Sequence, residues 1–378
     1  MRAYLDHAST TPLRPAVLDA MLPWMSSADP GRVHTEGRMA RVALEEARAA
    51  VAGAFGTRSR QVIFTSGATE AIHAAVFGAL SAGKGDHAVL SEVEHAAVRE
   101  ATARLAGQVS WVGADRQGRI SPAEVVDSIG ADTALVHCQW ANQEVGTLQP
   151  VTEVVHACRE RGITVHVDAA MAAGRVPIDF DSLGADLLSV SAHKLGGPRG
   201  VGALLVRRGR RFSPLLVGGS QERARRAGME DVAAAVGFAA AVTALGDRDD
   251  GGGHEGQNAG VQPGVGAGPG SGVDAGMGMT RLEREVARAR TQVADLRDAA
   301  VAIDGVTAIG PDDPVGAIAH LLCLDIAGVE AEGVLVGLDQ AGVAVHSGSS
   351  CSSELLEPSP VLAAMGLPAE RSLRLSVG

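Results

Sequence analysis

Short apolar, β-branched runs recur through the first two thirds of the chain: Val62–Thr65, Ala88–Ser91, Ala134–Cys138, Thr164–Val167, Leu187–Val190 and Gly202–Val206. Between them lie segments whose apolar residues repeat with helical spacing, such as Thr69–Ala82, Val93–Ala106 and Val151–Arg161. Strands that are apolar on both faces and separated by helices predict a mostly parallel sheet, covered on both sides, in an α/β fold. Ligands of such sheets bind at the carboxyl ends of the strands.

The pattern breaks at residues 246–279, which hold 13 glycines and almost no large apolar side chains. Such a stretch cannot offset its ordering entropy by burial and is expected to be a flexible insertion. It separates two helical patterns, Asp231–Leu245 and Thr280–Ala302. Beyond it the strand and helix patterns resume: Ala317–Ile326, Ala331–Ala341, Val343–His346, Ser359–Met365 and Ser372–Val377. The expected organisation is a large domain over 14–245, the insertion over 246–279, and a smaller α/β domain made of 1–13 with 280–378.

A net charge of −11 disfavours a nucleic-acid partner. No run of 18 apolar residues occurs, so no membrane span is expected. The start, Met1 to His7, lacks the apolar core of a signal peptide, and a cytoplasmic location is expected. The four cysteines show neither metal spacing nor a disulfide framework. Cys138, Cys158 and Cys323 sit in apolar patterns and read as packing residues. Cys351 sits in the small polar segment Ser347-Gly348-Ser349-Ser350-Cys351-Ser352-Ser353, where an exposed thiol is poised for chemistry or is an incidental surface group.

Of the 33 basic residues only Lys84 and Lys194 are lysines. Lys84 lies in a turn-like stretch and reads as solvated. Lys194 ends Ser191-Ala192-His193-Lys194, directly after an apolar strand. Arginine cannot replace lysine where a neutral amine must attack a carbonyl. A Schiff base with pyridoxal phosphate (PLP) is the chemistry that most often needs such an amine.

Other motifs fit that cofactor. Val62 to Glu70 reads as a strand, a small-residue turn through Ala68, and a helix start at Thr69, which is a phosphate cradle or a plain capped helix. Asp168 ends the strand His166-Val167-Asp168. It reads as the carboxylate that keeps a pyridinium nitrogen protonated, or as a helix cap. Ser191 and His193 offer further phosphate donors beside Lys194. His95 follows a strand end, where it can stack on an aromatic cofactor and move protons, or be structural.

Together these residues resemble the cysteine desulfurases, class-V members of the fold-type I PLP enzymes. The likeness runs from Tyr4–Pro12 through the phosphate turn, His95, Ala141-Asn142-Gln143-Glu144, Asp168, the lysine motif and Arg225-Arg226-Ala227-Gly228. The segment around Cys351, followed by Leu356-Glu357-Pro358-Ser359, is similar to the long-loop group I type. The resemblance implies a seven-stranded, mostly parallel sheet between helices, PLP bound by Ala68, Thr69, His95, Asn142, Gln143, Asp168, Met171, Ser191, His193 and Lys194, and a homodimer. It implies that Lys194 holds the cofactor and moves the α-proton of L-cysteine. It further implies that Cys351 takes the sulfur as a persulfide, leaving L-alanine, that His95 is the acid/base, and that Arg374, with Asn142, binds the substrate carboxylate. A sulfur-acceptor protein, in iron–sulfur cluster assembly or tRNA thiolation, would then collect the sulfur. A cysteine or selenocysteine lyase that does not need Cys351, or a non-catalytic scaffold, are the alternatives.

The chain departs from that pattern. Met171 stands where the family usually has a glutamine, and Met229 where it has a threonine. Gln143 stands in place of a second asparagine. The family also carries a further helix beyond the position of Gly378. A missing hydrogen bond to a buried partner costs about 1–3 kcal/mol, so weaker cofactor retention or slower chemistry is expected.

Overall fold

The computed structural model describes residues 2–82, 85–247, 279–347 and 358–378. The chain opens on a short strand, β1 (Ala3–Tyr4). It then builds β2 (Val62–Thr65), β3 (His87–Ser91), β4 (Gln108–Val112), β5 (Thr133–Gln139), β6 (Thr164–Asp168), β7 (Leu187–Ser191) and β8 (Gly202–Val206). These seven form one sheet in the order β2-β8-β7-β6-β5-β3-β4. All neighbours are parallel except β8, which runs antiparallel to both β2 and β7. The expected seven-stranded, mostly parallel sheet is therefore present.

Alternation along the strands divides the core into two layers. Val62, Phe64, Val136, Cys138, Val165, Val167, Leu188 and Val190 join the layer that also holds the helices Thr35–Ala54, Val151–Glu160 and Val232–Gly246. Ile63, Leu90, Leu135, Leu187 and Leu204 face the helices Ala68–Ala82 and Ala96–Leu105. Both faces are covered, which is why the strands read as continuous apolar runs. The helix Val232–Gly246 is apolar all round because it packs between other helices; Asp231 caps it by accepting from the Ala234 N–H at 2.9 Å.

An edge strand and a long helix are among the elements that escape the apolar pattern. Strand β4 lies at the sheet edge with Trp111 exposed, so Gln108–Val112 carries too few buried positions to read as a strand. The helix Thr35–Ala54 buries Gly37, Ala40, Leu44, Ala47 and Val51 through a stripe dominated by alanine and glycine, a weak hydrophobic signal.

Three later strands, β9 (Val306–Ile309), β10 (Leu321–Ile326) and β13 (Ser372–Ser376), form an antiparallel sheet with the two-residue β12 (His346–Ser347), in the order β12-β13-β10-β9. The helix Arg281–Val301 packs on it; Val293 and Leu296 meet Leu322, Leu324 and Leu373. Strand β11 (Val343–Ala344) pairs in parallel with β1, and Asp6 bridges to Ser376. The N-terminal segment is thus stitched to the end of the chain. It also reaches the large sheet, because Arg14 donates to Leu195 O at 3.2 Å, while the same guanidinium grips Glu285 on the helix Arg281–Val301 with two bonds of 2.8 Å. Most of the expected insertion, residues 248–278, lies outside the described residues. Among the described residues no helix is long and apolar enough to cross a membrane.

Candidate active site

A cavity of about 550 Å³ opens at the carboxyl ends of the parallel strands. Strands β2, β3, β5, β6 and β7 deliver their parts in the residues at or shortly beyond their ends. The turn Ser66-Gly67 follows β2 and leads into the helix Ala68–Ala82, so Ala68 and Thr69 line the cavity with the first turn of that helix. Backbone N–H groups in a first turn have no helical acceptor and attract anions. The turn lies close against β8. A Cβ on Gly202 would come within 2.8 Å of the Gly67 backbone, so only glycine fits at 202. Glu70 braces the turn by accepting from Ser66 N–H at 2.7 Å while pairing with Arg226 at 2.8 Å.

Strand β7 ends at Ser191 and leads through a short 3-10 turn, Ala192–Leu195, to His193 and Lys194. Ser191, His193 and Lys194 all line the cavity. The Lys194 ammonium donates to Ala8 O, and the Thr11 hydroxyl donates to Lys194 O at 3.0 Å. The N-terminal segment thus sets the lysine's position. Lys84 lies outside the described residues, which leaves Lys194 as the one lysine among those described. His193 Nδ1 bonds Thr10 Oγ1 at 3.2 Å; burial, with Lys194 and Arg199 nearby, pulls its pKa down to about 4.

Asp168 is buried at the end of β6. Its bonds fall on Oδ1, from Ala170 N–H at 3.0 Å and the Ser189 hydroxyl at 3.4 Å, leaving Oδ2 for a group in the cavity. Burial raises its pKa, while His95, those two donors and Lys194 pull the other way. His95 caps the helix Ala96–Leu105, its Nδ1 accepting from Ala97 N–H at 3.0 Å. A neutral ring therefore carries its proton on Nε2. Burial holds His95 below its ordinary pKa, against the pull of Asp168 and with Lys194 adding to the effect.

Arg374 enters from β13 with only 2% of its surface exposed, although it lines the cavity. Its guanidinium donates to Asp6 Oδ1 at 2.9 Å and Gln143 O at 3.0 Å. Gln143 and Met171 also line the cavity. Met171 is packed with Ala8, Ala141, Ile318 and Leu321, an apolar wall.

The structure does not bring Asn142 into the cavity. Its Nδ2 donates to Val93 O at 3.1 Å, and its Oδ1 accepts from the N–H groups of Glu144 at 2.8 Å and Val145 at 2.9 Å. The amide is used to hold the turn that presents Gln143. Cys351 lies outside the described residues. Cys138, Cys158 and Cys323 are fully buried, and burial pushes all three thiols upward, which keeps them protonated.

Three cavity neighbours escaped the sequence reading. Gln139, at the end of β5, donates to Val93 O at 2.7 Å and lines the cavity. Arg199 lines it from a turn that reads only as glycine-rich. Glu94 is buried behind His95, where its Oε1 accepts from Gln139 N–H at 2.7 Å. Burial and the nearby Asp168 push Glu94 up to about 8, so it is protonated at neutral pH. The available signal was a glutamate between Val93 and His95 at a strand end, which is unusual for a solvated position.

The amine, the half-satisfied carboxylate and the anion-attracting helix start fit PLP: one end for its phosphate, one for its ring nitrogen, and a lysine for its aldehyde. Comparisons with known proteins agree. The class-V aminotransferase family model matches residues 3–249. The cysteine desulfurase IscS of Dictyoglomus turgidum is 37% identical over 99% of this chain and 89% of its own. The IscS-like cysteine desulfurase of Mycobacterium tuberculosis is 37% identical over 100% of this chain and 91% of its own. Among solved structures, a NifS-like protein superimposes with a TM-score of 0.84 at 27% identity, covering 100% of this chain and 94% of that one. SspA in complex with cysteine gives 0.78 at 27% identity over 99% and 98% of the two chains.

Proposed function

The chain belongs to the class-V aminotransferase family, among its cysteine desulfurases, and from that premise we propose how its own residues turn L-cysteine into L-alanine and retain the sulfur. The observation that carries the reading is the meeting of Lys194, Asp168, His95 and Arg374 with the start of a helix in one cavity. PLP, when bound, supplies the electron sink that lets the substrate's α-proton leave and its Cβ–S bond weaken.

Lys194 holds the cofactor and, once displaced by substrate, moves the proton at Cα. Asp168 Oδ2 keeps the ring nitrogen protonated. Ala68, Thr69, Ser191 and His193 hold the phosphate. Arg374 binds the substrate carboxylate, with the planar, fork-shaped geometry such a clamp needs. Its pairing with Asp6 keeps the buried guanidinium in place. His95 exchanges a proton through Nε2 with the substrate or the attacking thiol. The Cys351 thiolate attacks the substrate sulfur; the S–S bond forms as the Cβ–S bond breaks, and proton return to the carbon skeleton gives alanine. Gln143 contacts the cofactor or substrate, while Asn142 acts from behind it. Met171 offers no donor where a glutamine is usual, which makes cofactor retention weaker than in relatives that have one.

Described residues close on either side of the segment that holds Cys351 have partners beside cavity residues. Ser347 pairs with Leu373, next to Arg374. Ser359 donates its hydroxyl to Glu144, next to Gln143.

The remaining assignments complete the reading. Residues 1–13 and 280–378 form a small domain against a large one over 14–245. Leu18, Leu22, Met25, Val33, Met39 and Val42 are exposed apolar side chains on the N-terminal helical segment, and a second copy of the chain would cover them. The protein works in the cytoplasm and passes sulfur to an acceptor protein in iron–sulfur cluster assembly or tRNA thiolation. Alanine release from L-cysteine with PLP and a reductant tests the route. Wild type is expected to turn over, and Cys351→Ser to lose about 10²-fold or more. Equal release from both would make the protein a lyase, and none from either would make it a scaffold.

A further inference from the structure

Four buried polar side chains in and against the large sheet are joined. Thr102 lies on the helix Ala96–Leu105, and His137, His166 and Ser189 lie on the adjacent strands β5, β6 and β7. All four are at most 1% exposed, which rules out water as their usual partner. His137 is the direct register partner of His166, and Ser189 of Asp168. Thr102 Oγ1 stands 3.2 Å from His137 Nε2, and His137 Nδ1 stands 2.9 Å from His166 Nδ1. His166 Nε2 stands 3.1 Å from Ser189 Oγ, which stands 3.4 Å from Asp168 Oδ1.

The direction of this chain follows from its end. An ionised carboxylate only accepts, so the Ser189 hydroxyl donates to Asp168. Ser189 Oγ then accepts from His166 Nε2–H, which leaves His166 Nδ1 as an acceptor for His137 Nδ1–H. His137 Nε2 in turn accepts from the Thr102 hydroxyl. Every donor points toward Asp168. Burial keeps both rings neutral, His166 being pulled down to about 3 and His137 well below its ordinary value, so each has the one proton and one lone pair that the scheme requires. The reverse order would turn the Ser189 proton away and set two lone pairs against each other at Asp168.

We propose that Thr102, His137, His166 and Ser189 form a one-way hydrogen-bond chain that positions Asp168 and keeps it ionised for the ring nitrogen of the cofactor, an inference that rests on the role given to Asp168 above. These are positioning residues, since only Asp168 meets the cavity. Aligned donors polarise one another, so the last bond is stronger than an isolated hydroxyl would make it.

Neutron diffraction from crystals of the PLP-loaded wild-type enzyme near neutral pH tests the chain directly. Deuterium is expected on Nδ1 of His137 and Nε2 of His166. The opposite pair of tautomers, or a doubly protonated ring, would overturn the proposal. The consequence is read by reconstituting the enzyme with PLP labelled at its ring nitrogen and following that nitrogen's NMR signal with pH. Ser189→Ala is expected to weaken the nitrogen's hold on its proton by about threefold to tenfold, and Thr102→Val by less. An unchanged signal in Ser189→Ala beside a changed one in Asp168→Asn would refute the chain and leave Asp168 in its role. An unchanged signal in Asp168→Asn as well would refute the role of Asp168, with the tautomers still judging the chain.

Discussion

The two faces of the seven-stranded sheet are built differently. The face under Thr35–Ala54, Val151–Glu160 and Val232–Gly246 meets its helices through valine, leucine, phenylalanine and cysteine. Its principal buried charge, Arg48, is satisfied within the layer by Glu222 and lies 4.8 Å from the Phe64 ring. The opposite face starts from equally apolar residues. Three neighbouring strands there also carry His137, His166 and Ser189, bonded to one another and ending on Asp168. The first face adds to its burial an ion pair that lines no part of the cavity. The other gives up some burial to hold one carboxylate in one state. A buried polar network is costly unless every member is satisfied, so its position beneath the cavity points to function.

The comparison can be broken in order of effect. Lys194→Ala removes the amine at the end of the polar face; alanine formation should fall about 10²–10⁴-fold with the melting temperature little changed. A large loss of stability would mean that Lys194 is structural. Phe238→Ala, in the apolar layer, should cost about 3–5 kcal/mol in denaturant unfolding while the folded fraction keeps its cofactor affinity. Loss of affinity there would show that the two faces are not separable. His137→Leu keeps volume more nearly but takes the ring partner from Thr102 Oγ1 and from His166 Nδ1, while His166 Nε2 keeps Ser189. It should cost about 1–3 kcal/mol and slow turnover more than the same loss on the other face would.

The last expected effect is a pH dependence. Glu94 is raised to about 8, so the folded state holds more protons than the unfolded chain between about 4.5 and 8. Its contribution to stability therefore falls as pH rises through that window. Glu94→Gln should lose this decline, and thermal melts should show the variant gaining on wild type from pH 5.5 to pH 8. His166, lowered to about 3, acts in the opposite sense: its contribution is lost as pH falls from 6.5 toward 3, in both proteins.

Much of this was legible in the sequence. The runs from Val62 to Val206 became strands because both sides of the sheet are covered, which removes the polar positions that blur a strand signal. Lys194 stood out because the chain otherwise uses arginine. Strand β4 was not legible because an edge strand with Trp111 exposed loses the apolar run. The histidines of the polar face were visible only as interruptions, in Val136-His137-Cys138 and Val165-His166-Val167. Nothing in one dimension says that two such interruptions are register partners. Asn142 shows the converse: its place in a family motif marked it for the ligand, yet its amide bonds the protein's own backbone through both Nδ2 and Oδ1.

The central claim is that Lys194 is the amine that holds PLP at the end of the polar face. With only two lysines in the chain, reduction of the PLP-loaded protein with borohydride followed by peptide mass spectrometry decides it. The account predicts the pyridoxyl group on the peptide containing Lys194 and none on that containing Lys84. A label on Lys84, or no label on a protein that retains the cofactor, would contradict it.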